Sequence, residues 1–258
     1  MENNTPLILI TNDDSIAAPG IHALAEIMRG TGEIYIVAPA EPHSGQSAAL
    51  TVGAPLRIDR LPDRGDGIHR YTVSGTPVDC IKLAMHAIVP RRPDLVLSGI
   101  NHGSNSGTAI VYSGTMGAVQ EACMLGIPAV GFSLLHHSMQ ADFSLCTEFV
   151  ADIAMRVLRD GLPQGTCLNV NIPARVIPRG VRVCRSARGH WTEEYVRYED
   201  PSGKPFYWLT GRFVNAEPEA TDTDEYWLDR NYISVVPVDP SRGDVAMVAP
   251  LAKVLDRN

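Results

Sequence analysis

Apolar residues along this chain fall into short unbroken runs more often than into alternating ones. Leu7–Thr11, Ile34–Ala38, Leu95–Ser98 and Ala129–Leu134 are apolar nearly throughout, the pattern of strands buried on both faces. Segments with helical spacing separate them: Gly20–Met28, Pro77–Ile88, Gly114–Leu125 and Phe143–Leu158. Only the stretch before Pro77 reads as loop and polar excursion. Short strands alternating with helices predict an α/β fold, a mostly parallel sheet between two helical layers. Sites in such open sheets lie beyond the carboxyl ends of the strands.

The last third changes character. Cys167–Ile172 and Val181–Cys184 read as further strands. Glu193–Glu199 and Pro205–Thr210 then flank Asp200-Pro-Ser-Gly-Lys204, a turn-forming stretch with aromatic residues on both sides. This predicts a β-hairpin arm whose aromatics cover either the protein's own sheet or another subunit. The expected organisation is one domain over residues 1–258, with a core to about residue 185 and an arm and C-terminal segment after it.

Composition narrows the function. A chain of 258 residues with 45% hydrophobic and 20% charged residues can bury one substantial core. Its net charge of -7 disfavours a nucleic-acid duplex as partner, so a phosphate-bearing ligand must be captured by a local feature. The five cysteines are widely spaced with no C-x-x-C pair, which suits reduced, buried thiols. The opening residues Met1-Glu-Asn-Asn-Thr-Pro6 have no leader pattern, and no apolar run is long enough to cross a bilayer. A cytoplasmic protein with no membrane partner is expected.

Four segments carry candidate chemistry, each at a strand exit or a helix start. Asn12-Asp13-Asp14 follows the first strand. Adjacent carboxylates there either hold a hard divalent cation or form a polar turn with one Asp as helix cap. The loop Pro39–Ser47 offers Ser44 as a hydroxyl ligand, with His43 beside it; an ordinary loop is the alternative. In Ser98–Gly107, glycines interleave with Asn101 and Asn105. The backbone at Gly103, Ser104, Asn105, Ser106 and Gly107 can therefore fold into anion-holding N–H nests, and Asn101 adds a neutral oxygen ligand. His102 lies beside it and, like His43, is a secondary candidate for substrate contact. Finally, Ser113, Gly114 and Thr115 open a helix whose N-terminus suits a phosphate, or Ser113 simply caps it.

Taken in order, these segments resemble the SurE family of 5′/3′-nucleotidases. The matching stretches are Ile10–Ser15, Val37–Pro39 with Ser44, Gly45 and Ser47, Ser74–Cys80, Ser98–Gly107 and Tyr112–Thr115. They continue with Leu168–Pro173, Lys204–Trp208, Thr221–Asp224 and Tyr232–Ser234. The resemblance implies a Rossmann-like core and a metal-dependent phosphomonoesterase acting on nucleoside 5′- and 3′-monophosphates, with short-chain polyphosphate as a further substrate. It also implies one Mg²⁺ or Mn²⁺ per subunit, held by Asp13, Asp14, Ser44 and Asn101, and a hairpin and C-terminal segment used to form a homodimer or homotetramer. Asn231 stands where a glycine commonly precedes Tyr232, which touches a local turn.

Two rivals remain at this stage. Asp13 as a nucleophile forming an aspartyl-phosphate would call for a second Asp two residues on, and that position is Ser15. A nucleotide-binding module with little turnover would use the same glycine-rich loops without needing clustered carboxylates.

Overall fold

Strand β1 (Leu7–Thr11) sits inside a nine-stranded sheet in the computed structural model of the chain, which describes residues 5–138, 140–241 and 243–255. The residues before Thr5, read above for a leader, lie outside that range. All five positions of β1 are buried. Alternate side chains feed two cores: Ile8 and Ile10 pack with one helical layer, Leu7 and Leu9 with the other. Each such burial contributes about 1.5–3 kcal/mol, which explains why the four residues before Thr11 are all apolar.

The remaining strands of the sheet are β2 (Glu33–Pro39), β3 (Ile58–Arg60), β4 (Ile68–Val73), β5 (Leu95–His102), β6 (Ala129–Leu134), β7 (Cys167–Ile172) and β8 (Val181–Val183). β9 (Gly189–Thr192), β10 (Tyr195–Glu199), β11 (Pro205–Leu209) and β12 (Arg212–Asn215) form the arm, and β13 (Ile233–Val238) returns to the sheet. The sheet order is β3-β4-β2-β1-β5-β6-β7-β13-β8. From β4 to β7 it is parallel, while β3 and β13 run antiparallel to β4 and β7. Helices α1 (Pro19–Ile27) and α4 (Thr147–Asp160) cover one face. Helices α2 (Pro77–Leu83, extended by a π-helical turn Ala84–Ile88) and α3 (Gly114–Met124) cover the other. The expected three-layer α/β architecture is therefore present.

β1 lies between β2 and β5, so the loops leaving β1 and β5 diverge and open a crevice at this switch point.

The structure departs from the sequence reading in four places. The polar excursion holds β3 and β4. Arg70 is an inward position of β4, 6% exposed and paired with Asp66 at 2.5 and 2.9 Å; that buried charge hides the strand's apolar alternation. β5 runs on to His102 instead of ending at Ser98. It carries a bulge, because Ser98 pairs with Gly131 while Asn101 pairs with Ser133. The division near residue 185 gives way as well: β13 enters the central sheet between β7 and β8, and the short helix α5 (Asp224–Leu228) packs beside it.

The arm is also longer than expected. β9 and β12 form its root and β10 and β11 its tip. Tip residues Tyr198, Phe206, Tyr207 and Trp208 are exposed, as is the apolar helix α6 (Val245–Leu255). Among the described residues all five cysteines are free, four of them buried. No helix there is long and apolar enough to cross a membrane.

Candidate active site

The chain exits β1 at Asn12 and turns sharply through Ser15, whose φ is 83°. Asn12 brackets the turn: its Nδ2 donates to Ser15 O at 2.8 Å, and its buried Oδ1 has no partner. Neither Asp caps a helix, since α1 begins at Pro19 after Ala18 with no side-chain cap. The pair is used differently.

Asp13 is 4% exposed and sits against the start of α3. Thr115 Oγ1 donates to its Oδ1 at 2.5 Å, and the Thr115 backbone also bonds to it. Close approach is possible because residue 114 is glycine: a Cβ there would lie 2.8 Å from Asp13 Cβ and 2.9 Å from its Oδ2. Burial pushes the Asp13 carboxyl up to about 6, with neighbouring Asp14 adding to the rise and the Thr115 hydroxyl opposing it. Asp14 is half-buried, and its Oδ2 accepts from His102 twice, from the backbone N–H at 3.1 Å and from ring Nδ1 at 3.0 Å. Among the described residues no Lys or Arg pairs with either carboxylate.

Two more segments reach the same place. His43 N–H donates to Asp13 O at 2.7 Å, which draws the loop after β2 inward and sets Ser44 at the cavity. The bulge in β5 re-aims Asn101, as bulges next to sites do. Its Nδ2 donates to Gly103 O at 3.0 Å, so the oxygen is what the amide can offer a ligand.

A cavity of about 520 Å³ lies beyond these strand ends. Of the residues named from sequence, Asp13, Ser44, Asn101, His102, Gly103, Ser104, Asn105 and Ser113 line it. Asn12, Asp14, His43, Ser106, Gly107, Gly114 and Thr115 do not. They stand behind the lining and shape it, Thr115 and Gly114 through Asp13, and Asp14 through His102.

Most of the N–H nest expected at 103–107 is spent internally. Gly103 N–H donates to Leu134 O, Asn105 N–H to Asn171 Oδ1, Ser106 N–H to Ser104 Oγ and Gly107 N–H to Asp224 Oδ2. The start of α3 is likewise used, by Asp13 and by the cap from Ser113 Oγ to Met116 N–H. What these segments present to the cavity is mainly side chains.

Sequence reasoning missed the groups that do this clamping. Asn169 Nδ2 donates to Asn105 O and Asn171 Oδ1 accepts from Asn105 N–H, each at 2.8 Å and buried, while Asn105 Nδ2 reaches Ser133 Oγ. On the other side Asp224 accepts from Gly107, Ala187 and Glu225 N–H groups, and Ser106 Oγ donates to Glu225 at 2.5 Å. Burial pushes both acidic carboxyls up. A signal existed in Leu168-Asn-Val-Asn-Ile172: two amides two apart share one face of an otherwise apolar strand, and buried amides need partners. His137 also lines the cavity and packs against Gly103.

The donor set fits a hard divalent cation. Asp13, Asp14, Ser44 and Asn101 bring two carboxylates, a hydroxyl and an amide oxygen, the chemistry Mg²⁺ and Mn²⁺ favour. Among the described residues no three His, Cys, Asp or Glu side chains converge, so a cation here would need oxygen from Ser and Asn as well. A cation here would offset both the burial of Asp13 and its repulsion from Asp14.

Comparison with known proteins finds relatives over most of the chain. The sequence profile of the family described as Survival protein SurE matches residues 8–193. The chain is 48% identical over 241 residues to the 5′-nucleotidase SurE of Christiangramia forsetii, covering 92% of each. It is 46% identical over 237 residues to the 5′-nucleotidase SurE of Phocaeicola vulgatus, again covering 92% of each. Its structure is similar to the crystal structure of the SurE protein from Aquifex aeolicus, with a TM-score of 0.83, 36% identity, and coverage of 97% of this chain and 100% of that one.

Proposed function

Because the chain belongs to the SurE family, we propose that it is a divalent-metal-dependent phosphomonoesterase that hydrolyses nucleoside monophosphates to nucleoside and phosphate. The reading covers 5′- and 3′-monophosphates, with short-chain polyphosphate as a further substrate. One observation carries it: a buried carboxylate, Asp13, faces a ligand-sized cavity with a second carboxylate beside it and, among the described residues, no Lys or Arg to balance them.

Asp13, Asp14, Ser44 and Asn101 would hold one Mg²⁺ or Mn²⁺. When bound, that ion supplies Lewis acidity beside the phosphoryl group. The chain's own residues do the positioning that phosphoryl transfer chiefly requires. Thr115 and His102 fix the two carboxylates, so neither must reorganise when substrate arrives. The Ser104 and Ser113 side chains and Asn105 line the same cavity and orient the phosphate. Homodimer or homotetramer formation through the exposed arm tip and α6 belongs to the same reading, since their apolar surface is left exposed by the described residues.

Phosphate release from 5′- and 3′-nucleoside monophosphates and polyphosphate, with EDTA, Mg²⁺ or Mn²⁺, tests the proposal. Hydrolysis that disappears with chelator and returns with metal supports it. Absence of release with every metal rejects it in favour of a nucleotide-binding module.

A further inference from the structure

The cavity lining combines two chemically different sets of residues. Asp13, Ser44 and Asn101 come from the strand-exit loops and the bulged strand and are polar; Trp191 of β9, Tyr195 of β10 and Leu209 of β11 come from the arm and are largely apolar. Tyr195 and Leu209 are directly opposed across the ladder, so both project to the same side. They are 66% and 69% exposed, which is costly for an aromatic and an aliphatic side chain without a function.

This wall does not hang free on the arm. Phe213 of β12 meets Trp191 edge to face, centroids 6.0 Å apart at 62°. The Phe213 ring also seats on two glycines: a Cβ at Gly107 would come within 2.8 Å of it, and one at Gly189 within 2.4 Å. Phe213 thus wedges the arm root onto the loop that follows β5, and Trp191 is fixed relative to Asn101. At about 520 Å³ the cavity is in the range that holds small ligands. A phosphate ester of a flat aromatic group matches its combined polar and apolar lining, and a bare sugar phosphate does not.

Building on the phosphomonoesterase reading, we propose that the junction of the arm's root and tip is the nucleobase subsite, with the base stacked against the wall of Trp191, Tyr195 and Leu209. Every base has a π-face, so a stacking wall accepts purines and pyrimidines alike. The arm, and not the sheet, then selects nucleotides over other phosphate esters. Thr210 has no donor left for a base edge, since its N–H and hydroxyl hydrogen are spent on Glu194 O and Glu193 O, both at 2.7 Å. The Glu194 carboxylate lines the same cavity and can accept from an exocyclic amine.

The test compares kcat/KM for a nucleoside 5′-monophosphate with that for ribose 5-phosphate in the full-length protein. Removing one stacking partner costs roughly tenfold in affinity or more, so Trp191→Ala should lower the nucleotide-to-sugar-phosphate ratio about tenfold, mainly through KM. Trp191→Phe should restore most of it. An unchanged ratio overturns the subsite. Because Trp191 also packs on Phe213, the double variant Tyr195→Ala/Leu209→Ala, at two exposed positions, repeats the measurement without disturbing that contact. Calorimetric titration with the free nucleoside separates this proposal from hydrolysis. Nucleoside binding lost in Trp191→Ala supports the subsite even in a protein that releases no phosphate. Nucleoside binding equal in the variant and the native chain sinks it even where hydrolysis is intact.

Discussion

Thr115 Oγ1 and Asp13 Oδ1 lie 2.5 Å apart, joining the first turn of α3 to the exit of β1 where both residues are buried. The helix start that would suit a phosphate instead holds a carboxylate. That choice makes Asp13 a fixed element of the fold and of the site at once. The hydroxyl offsets part of the cost of keeping this charge out of water.

Asp13→Asn keeps the shape and removes the charge. Turnover should fall by roughly two to three orders of magnitude, the loss typical of deleting a key electrostatic group. The metal-free fold should be no less stable, because a desolvated charge has been deleted. Steady-state kinetics alongside thermal melts in chelator check both; near-normal turnover would sink the assignment.

His102→Ala removes the ring donor to Asp14 and the edge contact of that ring on Phe143, whose centroid is 5.6 Å away. The backbone N–H to Asp14 survives. Metal affinity should fall about 10- to 100-fold, the usual cost of losing a residue that orients a ligand. Activity titrated against Mn²⁺ would read this as a higher metal requirement with near-native maximal rate.

Asn171→Ala leaves the buried Asn105 N–H without an acceptor, at a cost of about 1–3 kcal/mol. It also loosens the loop that carries Asn105 and Ser104 to the cavity. Urea unfolding should show the stability loss and kinetics a reduced kcat. A destabilised variant with unaltered kinetics would show that the clamp supports the fold alone.

The pair Asp66–Arg70 predicts a pH effect remote from the site. Hydrogen bonds from Arg70 hold the Asp66 carboxyl well below the usual carboxylate range. Its folded-state value is depressed, so its contribution to stability is present above the unfolded value near about 4 and fades as pH falls below it. Asp66→Asn should therefore melt several degrees below the native chain at neutral pH, and the two should converge in acid. A constant gap across that range would contradict the ion pair's role.

The strands and helices that were legible share one property: their side chains answer to a single environment. β1, β2 and β6 are surrounded mostly by apolar neighbours, so their sequences are close to uniform. β4 was opaque because Arg70 occupies an inward position and is balanced by a partner outside the strand. β13 was visible as a motif but not as a member of the central sheet, since its partners lie more than sixty positions away in β7 and about fifty in β8. At the site, Asp13, Ser44 and Asn101 stood out as chemistry at strand exits. The use of the glycine-rich N–H groups did not, because it depends on Asn171 and Asp224, which only the folded chain brings alongside.

The extra residue in β5 has a reach beyond Asn101. Side chains on a strand alternate sides, so one inserted position reverses the facing of everything downstream of it. Removing a single residue between Ser98 and Asn101 would not merely shorten a connection. It would invert Asn101 and His102 together, withdrawing a ligand oxygen from the cavity and both donors from Asp14. This stretch should accept substitution far more readily than any change of length, and a natural variant one residue shorter there would be expected to have given up the chemistry while keeping the sheet.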